Sequence, residues 1–176
     1  MPQVPTLSRP PSPLRRTARR LALRGAAASA ALGACMLVFA HGNVTPQAVD
    51  TSGLQPLGEE WRSENPYTGN ARAIEIGASG FNQNCARCHG LEAISGGIAP
   101  DLRRLDNDCA TMADKAAQAT CVKENDDYFL TTVRHGRSRN GAVYMPPFEG
   151  VLSQEAFWAI KSWLETRREK PLGAQP

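Results

Sequence analysis

Along the chain the apolar positions form first an unbroken run and only later a helical rhythm. Residues 25–40, GAAASAALGACMLVFA, carry no charge and are too few to span a membrane comfortably. Residues 41–70 hold Pro46, Pro56 and Pro66 among polar positions with no sustained period. They read as an extended arm, with Trp61 and Tyr67 placed to pin it to the domain as an ordered but functionless strap; a partner-docking arm is the alternative. From Ala71 to Asn84 the positions Ile74, Gly77 and Phe81 recur at helical spacing behind Asn70, a good amino-terminal cap. Residues 111–120 form a short helical pattern with Thr111 and Asp114 as cap residues. A separate pattern covers 127–135, where Phe129, Leu130 and Val133 share a face and Gly136 stops the helix. The last helix is the clearest: Ser153 caps it, Leu152 and Phe157 staple its start, and Phe157, Ile160, Trp163 and Leu164 make a stripe ending at Arg167 and Arg168. No alternating run is long enough for a sheet and no repeat appears. The pattern predicts a small all-α domain over 71–169, followed by a tail at 170–176.

Composition and charge narrow the class. Of 176 residues, 41% are apolar and 6% aromatic, enough to bury a core and to exclude wholesale disorder. Of the 20 Lys and Arg, six fall in the first 40 residues, which have no acidic group. The remaining 14 basic groups therefore face 17 acidic ones, a balance of −3. A nucleic-acid binder would need basic clusters on its folded part, so that class is set aside. Six arginines followed by the short apolar run read as a secretory signal over residues 1–40, cleaved after Ala40 to leave His41 as the new amino terminus. An uncleaved anchor, a lipoprotein site at Cys35 and twin-arginine export are the rival readings.

Cys85-Ala86-Arg87-Cys88-His89 carries the chemistry. Two thiols three residues apart on one helical turn can each add across one vinyl group of a haem, and the adjacent imidazole is then aimed at the iron; this is the spacing of covalent c-type attachment. A zinc site would need a second close ligand pair, but Cys109 and Cys121 are far apart in sequence. A thioredoxin-like dithiol would follow a strand, whereas here a helix leads in. One covalent haem c is therefore the expected cofactor, with His89 as an iron ligand. With Cys35 lost in the signal, Cys109 and Cys121 are the two cysteines left over. In an oxidising compartment they read as a disulfide contributing about 3 kcal/mol, with two free thiols as the alternative.

These residues resemble the class I cytochromes c, over a stretch from Ala71 to Arg168. The resemblance implies a helical fold wrapped around one haem, in which Gly77 and Phe81 lie on an amino-terminal helix crossed closely by the helix of Trp163. It also implies that Pro100, in Gly96-Gly97-Ile98-Ala99-Pro100-Asp101-Leu102, offers its carbonyl to the haem-ligating His89. Met145, in Tyr144-Met145-Pro146-Pro147-Phe148, looks like the distal iron ligand of that family. Other readings of the candidates are a Met145 that fills core space, a Met112 that packs against the insert between the cysteines, a His135 that sits exposed at a helix end, and a flexible His41.

A narrower resemblance, to the soluble PedF-type cytochromes c, covers residues 41–50, 90–97 and 139–148. It implies a periplasmic, monomeric electron carrier and not an enzyme. The donor it implies is a PQQ-dependent (quinoprotein) ethanol dehydrogenase; the acceptor is a terminal oxidase or another cytochrome. Arg134, Arg137 and Arg139 precede the Met145 segment and are candidates to neutralise haem propionates or to steer an acidic partner. Two other functions remain: a membrane-tethered cytochrome subunit of a dehydrogenase or oxidase complex, and a haem enzyme or gas sensor with an open distal site.

Overall fold

Asn70 opens the first helix, accepting from the Ala73 N–H at 3.0 Å, and α1 then spans Ala71–Asn84. The computed structural model describes residues 45–170 and residue 172. The predicted export segment, its cleavage point at Ala40, His41 and all but residues 170 and 172 of the tail lie outside the described residues. Among the described residues no helix is long and apolar enough to cross a membrane.

After α1 comes the single turn α2 (Ala86–His89), then 3-10 turns at Leu91–Ala93 and Leu102–Arg104 and the short α3 (Asn107–Ala110). The long helix α4 spans Lys115–His135. Strands β1 (Arg137–Arg139) and β2 (Ala142–Met145) follow, and α5 spans Gln154–Thr166.

The centre of the fold is the crossing of α1 and α5. At Gly77 the helices touch backbone to backbone: a Cβ there would fall 1.9 Å from the Ala159 carbonyl oxygen, so no larger residue fits. One turn on, Phe81 meets Trp163 with ring centroids 4.5 Å apart, and Phe157, Trp158 and Ile160 are buried beside them. The start of α5 is as the sequence indicates. The Ser153 hydroxyl accepts from the Ala156 N–H at 3.3 Å, and Leu152 and Phe157 are both buried as a staple.

Two expectations need correction. The 111–120 and 127–135 patterns are not separate helices. The helix begins later, at Asp114, whose carboxylate accepts from the Ala116 and Ala117 N–H groups at 2.8 and 3.2 Å, and it runs unbroken to His135. The apparent gap arises because Asp126, the buried residue between the two patterns, is polar. Asp126 is compatible with burial because the Lys161 ammonium lies 2.7 Å away and the Asn65 N–H donates to it at 2.8 Å.

The second correction concerns the all-α expectation: β1 and β2 form an antiparallel hairpin in the register Ser138–Val143 and Arg139–Ala142. Its turn is Asn140-Gly141, with φ of 51° and 78°, the pair that a two-residue hairpin loop with both φ positive favours. The strands are too short for alternation to show, so the dipeptide was the signal.

The described part of the arm, residues 45–70, is bound to the domain at several points. Tyr67 is buried, Trp61 stacks on Phe157 with centroids 5.7 Å apart, and the Leu57 and Arg62 N–H groups donate to Glu155 and Gln154 of α5 at 2.8 and 2.6 Å.

Candidate functional site

Where α1 ends, the chain makes one more helical turn. The Cys88 and His89 N–H groups both donate to the Cys85 carbonyl, at 3.1 and 3.0 Å, so both thiols and the imidazole are carried on a single turn. All three line a cavity of about 450 Å³. Pro100 and Met145 line it too, so the five residues that sequence singled out for this chemistry converge there. Phe81, Leu102, Phe129, Ile160 and Leu164 give it apolar walls.

His89 Nδ1 lies 2.9 Å from the Pro100 carbonyl oxygen. A carbonyl can only accept, so the proton sits on Nδ1 and the Nε2 lone pair is left for a metal. Burial pushes the imidazole below its ordinary pKa, against the opposing pull of the Pro100 carbonyl, and so favours its neutral form. The loop bearing Pro100 is fastened in turn: Asp101 accepts from Arg103 Nε and Nη2 at 3.0 and 2.7 Å. Cys85 and Cys88 are not cross-linked. Burial, helped by the neighbouring Cys88, pushes the Cys85 thiol up to about 12.

The other candidates lie elsewhere. Cys109 and Cys121 form a disulfide between α3 and α4 with Cα atoms 5.6 Å apart, away from the cavity. Of the three arginines, only Arg137 lines it. Arg134 is committed to Glu149, with a contact of 2.8 Å, and Arg139 is exposed. His135 is exposed, its Nδ1 lying 3.1 Å from the Thr131 carbonyl. Met112 sits at the surface of the insert.

Sequence reasoning passed over Arg104, Tyr128 and Thr132, which also line the cavity. Tyr128 and Thr132 are one turn apart on α4. They hold Arg137 in place, with Nη2 donating to the Thr132 hydroxyl at 2.7 Å and the guanidinium 5.0 Å from the Tyr128 ring centroid. Their four-residue spacing, matching that of Phe129 and Val133, was the available signal.

Residues 72–164 match the protein family described as cytochrome C oxidase, cbb3-type, subunit III. Over 148 residues the chain is 52% identical to cytochrome c550 of Pseudomonas aeruginosa, an alignment covering 82% of this chain and 92% of that protein. The chain belongs to the cytochrome c family. It is also 32% identical over 95 residues to the quinohemoprotein alcohol dehydrogenase ADH-IIG of Pseudomonas putida, covering 54% of this chain but 11% of that much longer protein. No solved structure gives a significant match.

As a monohaem cytochrome c, the protein is an electron carrier and not an enzyme, and its cofactor is one covalently bound haem c. The cavity suits that group. It offers two uncrosslinked thiols from one turn, an imidazole whose proton is committed to Nδ1, a thioether, and apolar walls.

Proposed function

We propose that this cytochrome c is a periplasmic, monomeric carrier, exported with loss of residues 1–40. It takes single electrons from a PQQ-dependent alcohol dehydrogenase and passes them to a terminal oxidase or another cytochrome. The observation that carries the reading is the convergence of Cys85, Cys88, His89 and Met145 on one apolar cavity. In this reading Cys85 and Cys88 bear the two thioether links. His89 Nε2 is the proximal ligand, oriented and made more basic by the Pro100 carbonyl. Met145 is the distal ligand, on a segment stiffened by Pro146 and Pro147. The haem supplies a reversible one-electron couple.

The protein's own part is to keep both ligands in nearly the same geometry in either oxidation state and to exclude water. The α1–α5 crossing and the Phe129 wall serve both ends. Holding the iron with the Met145 thioether and the His89 imidazole would favour the reduced state relative to two imidazoles, and would leave no site for gas or peroxide chemistry. Arg137 on the cavity wall is placed to meet an acidic group of the bound cofactor, whereas Arg104, which also lines the cavity, pairs with Glu169 at 2.9 Å. The likeness to part of a quinohemoprotein alcohol dehydrogenase supports a donor of quinone-cofactor type. Such a donor releases two electrons in single steps and needs two oxidised carriers.

Stopped-flow mixing of the oxidised protein with purified quinoprotein alcohol dehydrogenase and alcohol should reduce it. No reduction by any alcohol-linked enzyme removes the donor and leaves the carrier. Met145→Ala should lower the reduction potential by about 0.1–0.2 V, a fraction of the range set by axial ligation; an unchanged potential rejects Met145 as ligand. The mass of the native protein distinguishes a chain beginning at His41 from a tethered one that keeps residues 1–40.

A further inference from the structure

Trp61 of the arm is linked through Arg134 to Glu149, just past the segment that carries Met145. The backbone on both sides of Trp61 is held by one side chain: Gln154 Nε2 donates to the Glu60 carbonyl at 3.0 Å, and Gln154 Oε1 accepts from the Arg62 N–H at 2.6 Å. Trp61, fixed in this way and stacked on Phe157, has the Arg134 guanidinium 4.1 Å from its ring centroid. Arg134 in turn grips both carboxylate oxygens of Glu149, Nε at 3.1 Å and Nη2 at 2.8 Å.

Glu149 lies just past the segment Met145-Pro146-Pro147-Phe148, and the backbone between is fastened to the end of α4. The Phe148 N–H donates to the Val133 carbonyl at 3.0 Å and the Glu149 N–H to the Arg134 carbonyl at 3.4 Å. At Gly136, where φ is 69°, a Cβ would fall 2.4 Å from the Met145 carbonyl oxygen, so the chain leaving Met145 runs directly against the helix end. Two prolines fix their own φ angles but cannot anchor the ends of the segment. The bidentate pair and the cation–π contact supply that anchor from outside.

The geometry points to a positioning role for the arm: Trp61, Arg134 and Glu149 form a latch that sets how firmly Met145 is presented to the cavity. This inference rests on Met145 being the distal ligand, and it turns a strap without a task into part of the distal-ligand support. Trp61, Arg134 and Glu149 do not line the cavity, although Trp61 stacks on Phe157, which does; Arg134 and Glu149 act through the backbone from Phe148 to Glu149, so Glu149→Gln isolates the latch from the cavity wall.

The test uses the full haem-loaded protein in the ferric state, with added imidazole as the probe and the methionine-to-iron charge-transfer band as a second readout. Trp61→Ala and Glu149→Gln should each bind imidazole about three- to tenfold more tightly than the parent and show a weaker band, the scale expected of losing one cation–π or ionic contact. Glu149→Gln changes a partly exposed side chain and keeps the test valid if Trp61→Ala folds poorly. Asn65→Ala, which removes the arm's side-chain bonds to Ser162 and Glu165 and leaves the latch intact, should bind imidazole like the parent. On a Met145→Ala background, Trp61→Ala should add nothing. Affinity within about twofold of the parent in both latch variants, or an equal rise in Asn65→Ala, overturns the latch. If Met145→Ala itself leaves imidazole binding unchanged, the distal-ligand reading falls; if Met145→Ala tightens binding and the latch variants do not, only the latch falls.

Discussion

Helix α5 has two buried faces built on opposite principles. Toward α1 it presents Ala159, Ile160 and Trp163, which pack on Gly77, Gly80 and Phe81 by shape alone. Toward α4 and the arm it presents Lys161, which is 1% exposed and lies 2.7 Å from Asp126 and 3.1 Å from Glu165. Beside it, Asn65 donates to Ser162 and Glu165 at 3.0 and 3.1 Å, and Arg168 reaches Asp106 at 2.6 Å. The apolar face is non-directional, so its strength falls gradually as atoms are removed. The ionic face is all-or-none, because deleting one member leaves its partners charged and dry.

The sharpest way to break this comparison is Lys161→Met, which preserves volume, leaves Asp126 without its cation and leaves Glu165 only Arg168 at 3.9 Å. It should destabilise the folded protein by about 3–5 kcal/mol in chemical denaturation, while the visible spectrum of the folded fraction stays that of the parent. Adding Asp126→Asn should recover part of the loss, since the Asn65 N–H keeps an acceptor and one stranded charge is gone. A loss below 1 kcal/mol, a size proper to a surface pair, would mean that the cluster is solvated.

On the apolar face, Ile160→Val removes one methylene next to the cavity and should cost about 0.5–1.5 kcal/mol with the same readout. A loss matching that of Lys161→Met would erase the distinction between the two faces.

The smallest effect concerns pH at the cavity loop. Hydrogen bonds from Arg103, opposed by partial burial, hold the Asp101 carboxyl down at about 2, below its ordinary 3.8. A depressed carboxylate contributes stability that is complete above the unfolded value and lost as pH falls through the folded one. The loop bearing Pro100 should therefore loosen between about pH 4 and pH 2, seen as faster amide exchange at residues 101–105. Arg103→Gln should move this loosening to higher pH; an unchanged exchange profile would show that the fork does not hold the loop.

How legible each region was follows from the same contrast. Helices α1 and α5 could be read from periodicity, with Asn70 and Ser153 as caps, because apolar side chains at helical spacing report directly on burial; that they cross at Gly77 and Trp163 was implied only by the resemblance to the class I cytochromes c. The Cys85–His89 turn could be read because it is local: five consecutive residues fix the thiols and the imidazole on one turn. The continuity of α4 could not, because Asp126 is core-facing yet polar, and Lys161 on another helix together with the Asn65 N–H of the arm makes that compatible with burial. The hairpin hid in strands too short to alternate, although Asn140-Gly141 marked its turn.

By itself, then, the sequence determined the class of cofactor chemistry and the helices α1 and α5 with their caps, since each depends on neighbours within a turn or two. The tertiary structure alone decided that Arg134 serves Glu149 and Trp61 and does not face the cavity, that Arg137 and Arg104 take that place, and that a lysine is core. Those outcomes rest on contacts between residues tens of positions apart, and charge complementarity leaves no periodic trace along the chain that supplies only one side of it.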